Sequence, residues 1–249
     1  MKEATTYQAP KDLLKDKIIL ISGGGSGIGR QAALSFASFG AEVILLGRSK
    51  SNLEETYNLF VQKGIKKPIL QVINLEKASE EDYKKICKEV INEFGKLDGL
   101  LNNAGILGTK TSIENYNFDE WRRVSKVNFE SALLLTKSLL PALQIPKNSS
   151  IIFTSSGVGK KGRAYWGAYA ISKFATEGLV QILSEELEKT SGIRVNAINP
   201  GPVRTKMREQ AYPAEDPKTL KKPKEIMSTY LFLMGKDSLS LNGHSIEIQ

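Results

Sequence analysis

The residues of this sequence that are best suited to catalysis are a tyrosine and a lysine four residues apart, Tyr169 and Lys173. This spacing places both side chains on one face of a helix. A phenol with its usual pKa of about 10 is a poor proton donor or acceptor at neutral pH, and a nearby cation lowers that pKa. Ser156 stands thirteen residues before Tyr169, directly after an apolar run. The three residues together predict an acid–base site.

A glycine-rich segment, Ser22–Gly29, follows the first apolar run of the chain. Glycine allows the backbone to turn with positive φ and to approach a phosphate closely. The helix predicted to start there would offer free N–H groups and its positive dipole end to a pyrophosphate. The segment therefore predicts a dinucleotide site, with contacts from Gly23, Gly25, Ser26, Gly27, Ile28 and Gly29.

The second apolar run ends in Leu46-Gly47-Arg48-Ser49. A carboxylate that would bind the ribose hydroxyls of NAD and repel a 2′-phosphate is absent from this position. Arg48 could pair with that phosphate. We therefore expect NADP rather than NAD, although Arg48 could also be an ordinary solvated charge.

Short apolar runs alternate with longer helical patterns along most of the chain. The runs are nearly all apolar, as in strands that are buried on both faces of a parallel sheet. Predicted strands are 17–22, 42–47, 68–74, 99–103, 150–155, 193–199 and 245–248, and predicted helices are 28–39, 51–63, 79–94, 118–143 and 164–189.

This alternation predicts an α/β fold of the doubly wound Rossmann type, with a seven-stranded parallel sheet covered by helices on both faces. We expect one domain over residues 1–249. Residues 1–13 would form an N-terminal extension. The proline-containing stretch 205–224 would form a substrate loop or lid.

The composition excludes several kinds of site. A single cysteine, Cys87, excludes an internal disulfide, and a single histidine, His244, excludes a multi-histidine metal site, so no metal is expected. No segment reaches the length of about 18 apolar residues that a membrane span needs. Because the N-terminal stretch Met1–Lys17 is polar, we expect a cytoplasmic protein.

The formal net charge of +8 leaves open a nucleic-acid or anionic-surface partner. However, the basic residues are spread over several elements and do not form one stripe with aromatic residues between them, so no nucleic-acid partner is expected. The basic groups are Lys66-Lys67, Lys84-Lys85, Arg122-Arg123, Lys160-Lys161 with Arg163, and Lys221-Lys222.

Five motifs in order make the chain resemble the short-chain dehydrogenase/reductase family, from about Leu14 to the C-terminus. They are Ser22-Gly23-x-x-x-Gly27-Ile28-Gly29, Asn102-Asn103-Ala104-Gly105, Asn128, the set Ser156, Tyr169 and Lys173, and Asn199-Pro200-Gly201-Pro202-Val203-Arg204-Thr205. Three stretches, 18–48, 153–177 and 199–213, also resemble a bacterial subgroup, the YciK-type oxidoreductases.

The resemblance implies a role for each residue of the active-site set. Tyr169 would exchange a proton with a carbonyl or alcohol oxygen. Lys173 would lower the pKa of Tyr169 and hold the nicotinamide ribose. Ser156 would donate a hydrogen bond to the substrate oxygen, and Asn128 would position a water that relays protons.

The resemblance also implies a set of cofactor and substrate contacts. Two positions depart from the family pattern: Asn74 replaces an aspartate that contacts adenine, and Ser26 stands where many NADP-dependent members carry a basic residue. Implied cofactor contacts beyond the glycine segment are Arg48, Asn74, Leu75, Asn103, Ala104, Gly105, Tyr169, Lys173, Pro200, Gly201, Val203 and Thr205. Substrate contacts would come from Ser156, Gly157, Trp166 and Met207, with Tyr165 as a further candidate.

The expected function is hydride transfer between NADP and a carbonyl or secondary alcohol, with 3-oxoacyl thioesters and other ketones as candidate substrates. We expect a small-molecule substrate, no membrane partner and a homodimer or homotetramer, the last because the helical stretch Phe129–Leu140 is very apolar. The alternatives are a non-catalytic NADP-binding regulatory protein and a sugar-nucleotide epimerase or dehydratase.

Overall fold

The computed structural model of the chain describes residues 2–249, with side chains from residue 4 onward. The predicted domain and its N-terminal extension both begin at residue 1, which lies outside the described residues.

Seven parallel strands form one sheet, as predicted, in the order β3-β2-β1-β4-β5-β6-β7. The direction of winding reverses between β1 and β4, where a doubly wound sheet binds its ligands. The strands are β1 (Ile18–Ser22), β2 (Glu42–Gly47), β3 (Ile69–Val72), β4 (Gly99–Asn102), β5 (Ser149–Thr154), β6 (Ile193–Asn199) and β7 (Ser245–Glu247).

Nine α-helices accompany the sheet within the described part of the chain. They are α1 (Lys2–Thr5), α2 (Gly27–Ser38), α3 (Lys50–Gln62), α4 (Glu80–Phe94), α5 (Phe118–Ser125), α6 (Ser131–Leu143), α7 (Gly167–Glu188), α8 (Lys206–Ala211) and α9 (Met227–Met234). All five predicted helices are present, although the one predicted over 118–143 is divided.

Two separate apolar cores cover the two faces of the sheet because successive residues of a strand point to opposite faces. On β1, for example, Ile19 and Ile21 join the core with α2, α3 and α9, whereas Ile18 and Leu20 join the core with α4, α6 and α7. Nearly every central strand residue is therefore buried, which explains why the strands are apolar throughout. The Rossmann-type fold class is confirmed.

The divided helix is the first difference from the sequence-based expectation. Between α5 and α6 the chain forms one π-helical turn, Lys126–Glu130, and continues without a break. Such turns widen a helix locally by one residue and are common at functional sites. Asn128 lies at the centre of this turn.

Besides the four-residue α1, which lies in the predicted N-terminal extension, two helices were missed by the sequence analysis. The first, α9, shows no helical period, because seven of its eight residues are buried in or beside the core beneath α2. The second, α8, lies inside the stretch predicted as a loop or lid, and Thr205 accepts a hydrogen bond from the Arg208 N–H at its start.

Within residues 2–249, no helix combines the length and apolar character needed to cross a bilayer. The same residues contain no group of three or more His, Cys, Asp or Glu side chains placed to bind a metal ion.

Candidate active site

Tyr169 and Lys173 lie in the first turns of α7, beside the carboxyl end of β5. Lys173 is buried, and its Nζ donates a hydrogen bond to the Thr154 carbonyl at 2.7 Å. The same Nζ lies over the Tyr169 ring, 5.7 Å from the ring centre. The helix therefore brings the phenol and the ammonium together, as their spacing predicts.

Burial dominates the ionisation of both groups. It lowers the pKa of Lys173 to about 8, although the negative charge of Glu177 raises it. Burial also raises the pKa of Tyr169, and the hydrogen bond with Ser156 opposes this only in part. The sequence analysis expected Lys173 to lower the pKa of Tyr169. In the structure the Tyr169 pKa moves upward instead, because burial outweighs the hydrogen bond with Ser156.

Ser156 lies two residues after the end of β5 and has an extended backbone. Its carbonyl accepts a hydrogen bond from the Gly159 N–H at 2.8 Å, within a short 3₁₀ turn over Gly157–Gly159. Its side chain shares a hydrogen bond with Tyr169. The strand end and the helix start thus bring together the two hydroxyls that the sequence placed thirteen residues apart.

Asn128 is buried and links three segments. Its Oδ1 accepts a hydrogen bond from the Ile106 N–H at 2.8 Å, while its Nδ2 donates to the Ile106 carbonyl at 2.9 Å and to Ser172 Oγ at 3.1 Å. A Cβ at Gly105 would lie 3.4 Å from Asn128 Oδ1 and 4.0 Å from Lys173 Nζ. Asn128 therefore ties the segment after β4 to α7, and the proton relay expected of it stays a prediction.

The glycine segment forms a tight turn between β1 and α2. Gly23 and Gly27 have φ values of +71° and +54°, which favour glycine. Ser22 Oγ accepts hydrogen bonds from the N–H groups of Asn103 and Ala104, at 3.0 and 3.1 Å, and so holds the turn against the end of β4. These contacts bring the glycine segment and the Asn102–Gly105 motif, which are far apart in the sequence, together in one surface.

The sharpest steric demand within this turn falls on Gly29, where an added Cβ would lie 2.3 Å from the Gly23 carbonyl oxygen. We expect Gly29→Ala to lower the free energy of unfolding by about 1–3 kcal/mol, because the turn must shift, and to weaken dinucleotide binding. Urea unfolding and cofactor titration would measure both effects.

Gly178→Ala is the matched control, because a Cβ at this position in α7 has nothing within 4 Å. Alanine should raise the free energy of unfolding here by about 0.5–1 kcal/mol. Equal behaviour of the two variants would contradict the steric account of Gly29.

The surroundings of the glycine turn fit a dinucleotide. Ser26, the N-cap of α2, has no side-chain hydrogen bond to the helix, so the first N–H groups of α2 remain available. Gly23 and Gly24 donate to the Leu46 carbonyl, at 2.8 and 3.2 Å, which places the end of β2 beside the turn. Arg48 follows there and is exposed, and its side chain has no hydrogen bond or ion pair with any described residue.

Of the remaining predicted cofactor residues, Thr205 lies beside this turn. A Cβ at Gly27 would lie 3.4 Å from Thr205 Cγ2, so the start of α8 adjoins the glycine turn. Val203 and Leu75 are buried and support the surface from below. Asn74 already accepts a hydrogen bond from the Glu76 N–H at 3.1 Å through Oδ1, which leaves its Nδ2 free to act as a donor.

A cavity of about 540 Å³ opens beside Ser156. It includes Gly157 and Trp166 of the predicted substrate set. Trp166 is buried and its ring centre lies 5.7 Å from that of Tyr169. The full lining is Ser156, Gly157, Val158, Lys161, Gly162, Arg163, Trp166, Asn199, Gly201, Pro202, Arg208, Tyr212 and Gln249.

Two predicted substrate residues do not line this cavity. Met207 is half-buried on α8, and its neighbour Arg208 lines the cavity instead. Tyr165 points largely to solvent, with 62% of its surface exposed, and its φ is +71°. Neighbouring residues of a helix point in different directions, and α8 is too short to show a helical period. The sequence therefore did not indicate which side chains of α8 face the cavity.

The sequence analysis did not assign three residues to the site: Arg30 and Gln249, which hold its backbone, and Arg163, which lines the cavity. Arg30 donates to the Gly25 carbonyl and pairs with Glu55, which fixes the glycine turn. Gln249 Nε2 donates to the Pro200 and Pro202 carbonyls, at 2.7 and 3.0 Å. The basic group Lys160-Lys161 with Arg163 could have drawn attention to Arg163, but no sequence pattern indicates that Gln249 lies beside the cavity.

Comparisons with known proteins agree with this geometry. The family model for short chain dehydrogenases matches residues 17–216. The chain is 43% identical over 243 residues to the uncharacterized oxidoreductase YciK of Escherichia coli strain K12, covering 98% of this chain and 96% of that protein.

Solved structures resemble the whole chain. The crystal structure of the E. coli oxidoreductase yciK superposes with a TM-score of 0.94 at 43% identity, covering 98% of this chain and 99% of that one. A Shigella flexneri protein described as a short chain dehydrogenase complexed with NADP gives a TM-score of 0.93 at 42% identity, covering 96% and 100% of the two chains. The resemblance to YciK-type proteins predicted from the sequence is confirmed.

Proposed function

Because this chain belongs to the short-chain dehydrogenase family, whose members are oxidoreductases that act on alcohol and carbonyl groups with a nicotinamide cofactor, we propose that it uses NADP(H) to interconvert a ketone and a secondary alcohol. The observation that carries this proposal is the contact between three side chains: Tyr169 shares a hydrogen bond with Ser156 and lies under Lys173 Nζ.

In this proposal the protein surface holds the dinucleotide along the carboxyl ends of β1, β2 and β4. The glycine turn and the N-terminus of α2 bind the pyrophosphate, and Arg48 pairs with the 2′-phosphate. A bound nicotinamide supplies or accepts the hydride. The NADP found with the Shigella flexneri relative supports the choice of NADP.

Tyr169 transfers the proton. Since burial raises its pKa, the phenol is protonated at neutral pH and is ready to donate to a carbonyl oxygen during reduction. Ser156 donates a second hydrogen bond to the same oxygen and so stabilises its developing negative charge. In the reverse direction the same two oxygens bind the alcohol.

Lys173 and Asn128 assist the proton transfer by Tyr169. Lys173 carries a buried positive charge beside the phenol and favours the phenolate that remains after proton donation. Asn128 is a positioning residue, because its side chain fixes Ile106 and Ser172 around Lys173.

The pH profile should report on Lys173. Because burial lowers the pKa of Lys173 to about 8, its ammonium form disappears as the pH rises through that value. We expect kcat/KM for carbonyl reduction to be constant below about pH 8 and to fall above it. Lys173→Arg keeps its positive charge, so any residual activity of this variant should lack the fall. An unchanged fall in that variant would assign the titration to another group.

The test of the proposal is a direct assay. NADPH absorbance is followed with a panel of ketones, 3-oxoacyl thioesters and diketones, and binding of NADPH and NADH is measured separately by calorimetry. We expect turnover of at least one ketone class and tighter binding of NADPH. Failure to bind either nucleotide would overturn the proposal.

We also propose a homodimer or homotetramer. The apolar residues between Phe129 and Leu140 pack largely against the protein's own core. Large apolar side chains are instead exposed on α7 and α5, namely Ile171, Phe174, Ile182 and Phe118. These faces support self-association, and a monomeric molar mass by light scattering would contradict it.

A further inference from the structure

We propose that the natural substrate carries an anionic group, a carboxylate or a phosphate, and that Arg163 and Lys161 bind it while Ser156 and Tyr169 hold the reacting oxygen. This inference rests on the proposed function, since both groups of the substrate would occupy the cavity beside Ser156. It adds a substrate class that neither the family nor the motifs specify.

The charge of the cavity wall is the first observation. The cavity lining contains three cationic side chains, Lys161, Arg163 and Arg208, and no carboxylate side chain. Arg208 is neutralised by Glu215, which accepts hydrogen bonds from its Nε and Nη2 at 2.6 and 2.5 Å. Among the described residues, Lys161 and Arg163 form no ion pair with an acidic side chain, so both positive charges of this wall lack a carboxylate partner there.

Several other basic residues of the surface differ from these two, because each has an acidic partner. Lys66 pairs with Glu42, Lys84 with Glu80 and Glu81, and Arg123 with Glu76 and Glu120. Lys160, the immediate neighbour of Lys161, pairs with Glu247 at 3.2 Å. Lys161 therefore differs from its immediate neighbour, because Lys160 has an acidic partner.

Arg163 is also held in position. Its Nη1 donates a hydrogen bond to the Tyr212 hydroxyl at 2.6 Å, and its guanidinium lies 5.7 Å from the centre of the Tyr212 ring. Since a guanidinium has five N–H donors, one bond to Tyr212 leaves donors for a bidentate contact with a carboxylate or phosphate. An ordered guanidinium loses less entropy on binding than a free one.

A further cation, Lys110, lies against Tyr212 and adds to the positive charge near Arg163. Lys110 Nζ lies 4.7 Å from the Tyr212 ring centre and 5.1 Å from that of Trp166, and it donates to the Ala211 carbonyl at 2.7 Å. Lys110 forms no ion pair with a carboxylate of the described residues. Because Lys110 and Arg163 both lie against the Tyr212 ring, their positive charges repel each other, and a bound anion would relieve that repulsion.

The cofactor phosphates do not account for this cluster. The proposed pyrophosphate and 2′-phosphate sites involve the glycine turn and Arg48, and none of these residues lines the cavity. The contacts of Arg163 instead link the segment before α7 to the segment after α8. A change at Arg163 should therefore separate substrate recognition from cofactor binding.

The experiment compares substrates that differ mainly in charge. Straight-chain oxo acids such as 4-oxopentanoate, 5-oxohexanoate and 6-oxoheptanoate are assayed with NADPH beside their methyl esters, and dihydroxyacetone phosphate is assayed beside dihydroxyacetone. We expect the wild-type protein to prefer the anionic member of at least one pair by roughly 10-fold or more in kcat/KM. The comparison of the oxo acids with their esters tests binding of a carboxylate, and the comparison of dihydroxyacetone phosphate with dihydroxyacetone tests binding of a phosphate.

Arg163→Gln should then lower the anion-to-neutral ratio of kcat/KM by roughly 10- to 100-fold, because it removes a charge-assisted hydrogen bond. Lys161→Gln should lower the ratio in the same direction. Lys189→Gln, which removes an exposed cation beyond the far end of α7, is the control and should leave the ratio unchanged.

The outcomes separate the two proposals. If neutral and anionic members react equally well, or if Arg163→Gln leaves their ratio unchanged, the anionic-substrate proposal is overturned and the proposed function stands. If the protein binds NADPH but reduces no member of either series nor any ketone of the wider panel, the proposed function fails and the inference that rests on it fails as well.

Discussion

Tyr169→Phe is expected to lower kcat for ketone reduction by roughly 10²- to 10⁴-fold. The substitution removes only the hydroxyl that shares a hydrogen bond with Ser156 and leaves the ring under Lys173 in place. The substrate oxygen would then gain negative charge without a proton donor. Because the loss is confined to the reacting step, affinity for NADPH should change by less than about threefold. Steady-state kinetics and calorimetry on the same preparations would measure the two effects.

Tyr165→Phe is the matched control for that experiment. Tyr165 lies four residues earlier but is largely exposed and does not line the cavity. Its substitution by Phe should leave kcat within about twofold of the wild-type value. Turnover by Tyr169→Phe at the wild-type rate would rule out proton transfer by this residue, provided that both variants unfold at similar urea concentrations.

Arg48→Asp should reverse the cofactor preference. The side chain follows β2 beside the glycine turn, is exposed and has no partner in the described structure. Aspartate removes the cation that would pair with the 2′-phosphate and adds a negative charge that repels it. We expect affinity for NADPH to fall by roughly 10²- to 10³-fold. Affinity for NADH should stay equal or improve, because a carboxylate here can accept hydrogen bonds from the ribose hydroxyls.

Lys63→Asp makes the same charge change as a control. Lys63 follows the C-terminal end of α3, a 13-residue helix, so it lies about 20 Å from the start of that helix beside Arg48. This variant should keep the NADPH preference at moderate salt. If Arg48→Asp also leaves both affinities unchanged, the 2′-phosphate must be bound elsewhere and the cofactor assignment from the β2 end is wrong.

The fold and the order of its elements could be predicted because their signals are local. Apolar runs such as the one that became β1 have no polar face, and this is a direct consequence of burial on both sides of a parallel sheet. The Tyr169–Lys173 pair depends only on helical periodicity. The glycine turn depends on backbone freedom that only glycine provides, as the positive φ values of Gly23 and Gly27 show.

Some features lacked a local signal. Seven of the eight residues of α9 are buried, so the segment has no polar face from which a helical period could be recognised. The π-helical turn around Asn128 has no distinctive composition, and the chain continues as a helix on both sides of it. The direction of the Tyr169 pKa shift could not be predicted either, because it arises from burial by segments far away in the sequence.

The sequence alone therefore determined which side chains can do chemistry, which strands and helices carry them, and the family to which the chain belongs. Only the tertiary structure decided which groups face each other: Asn128 with Ile106, Gln249 with Pro200, and Arg163 with Tyr212. Local patterns reflect the periodicity and backbone freedom of neighbouring residues. The charge and shape of the cavity arise from contacts between segments far apart in the chain, and a single sequence does not encode those contacts in any local pattern.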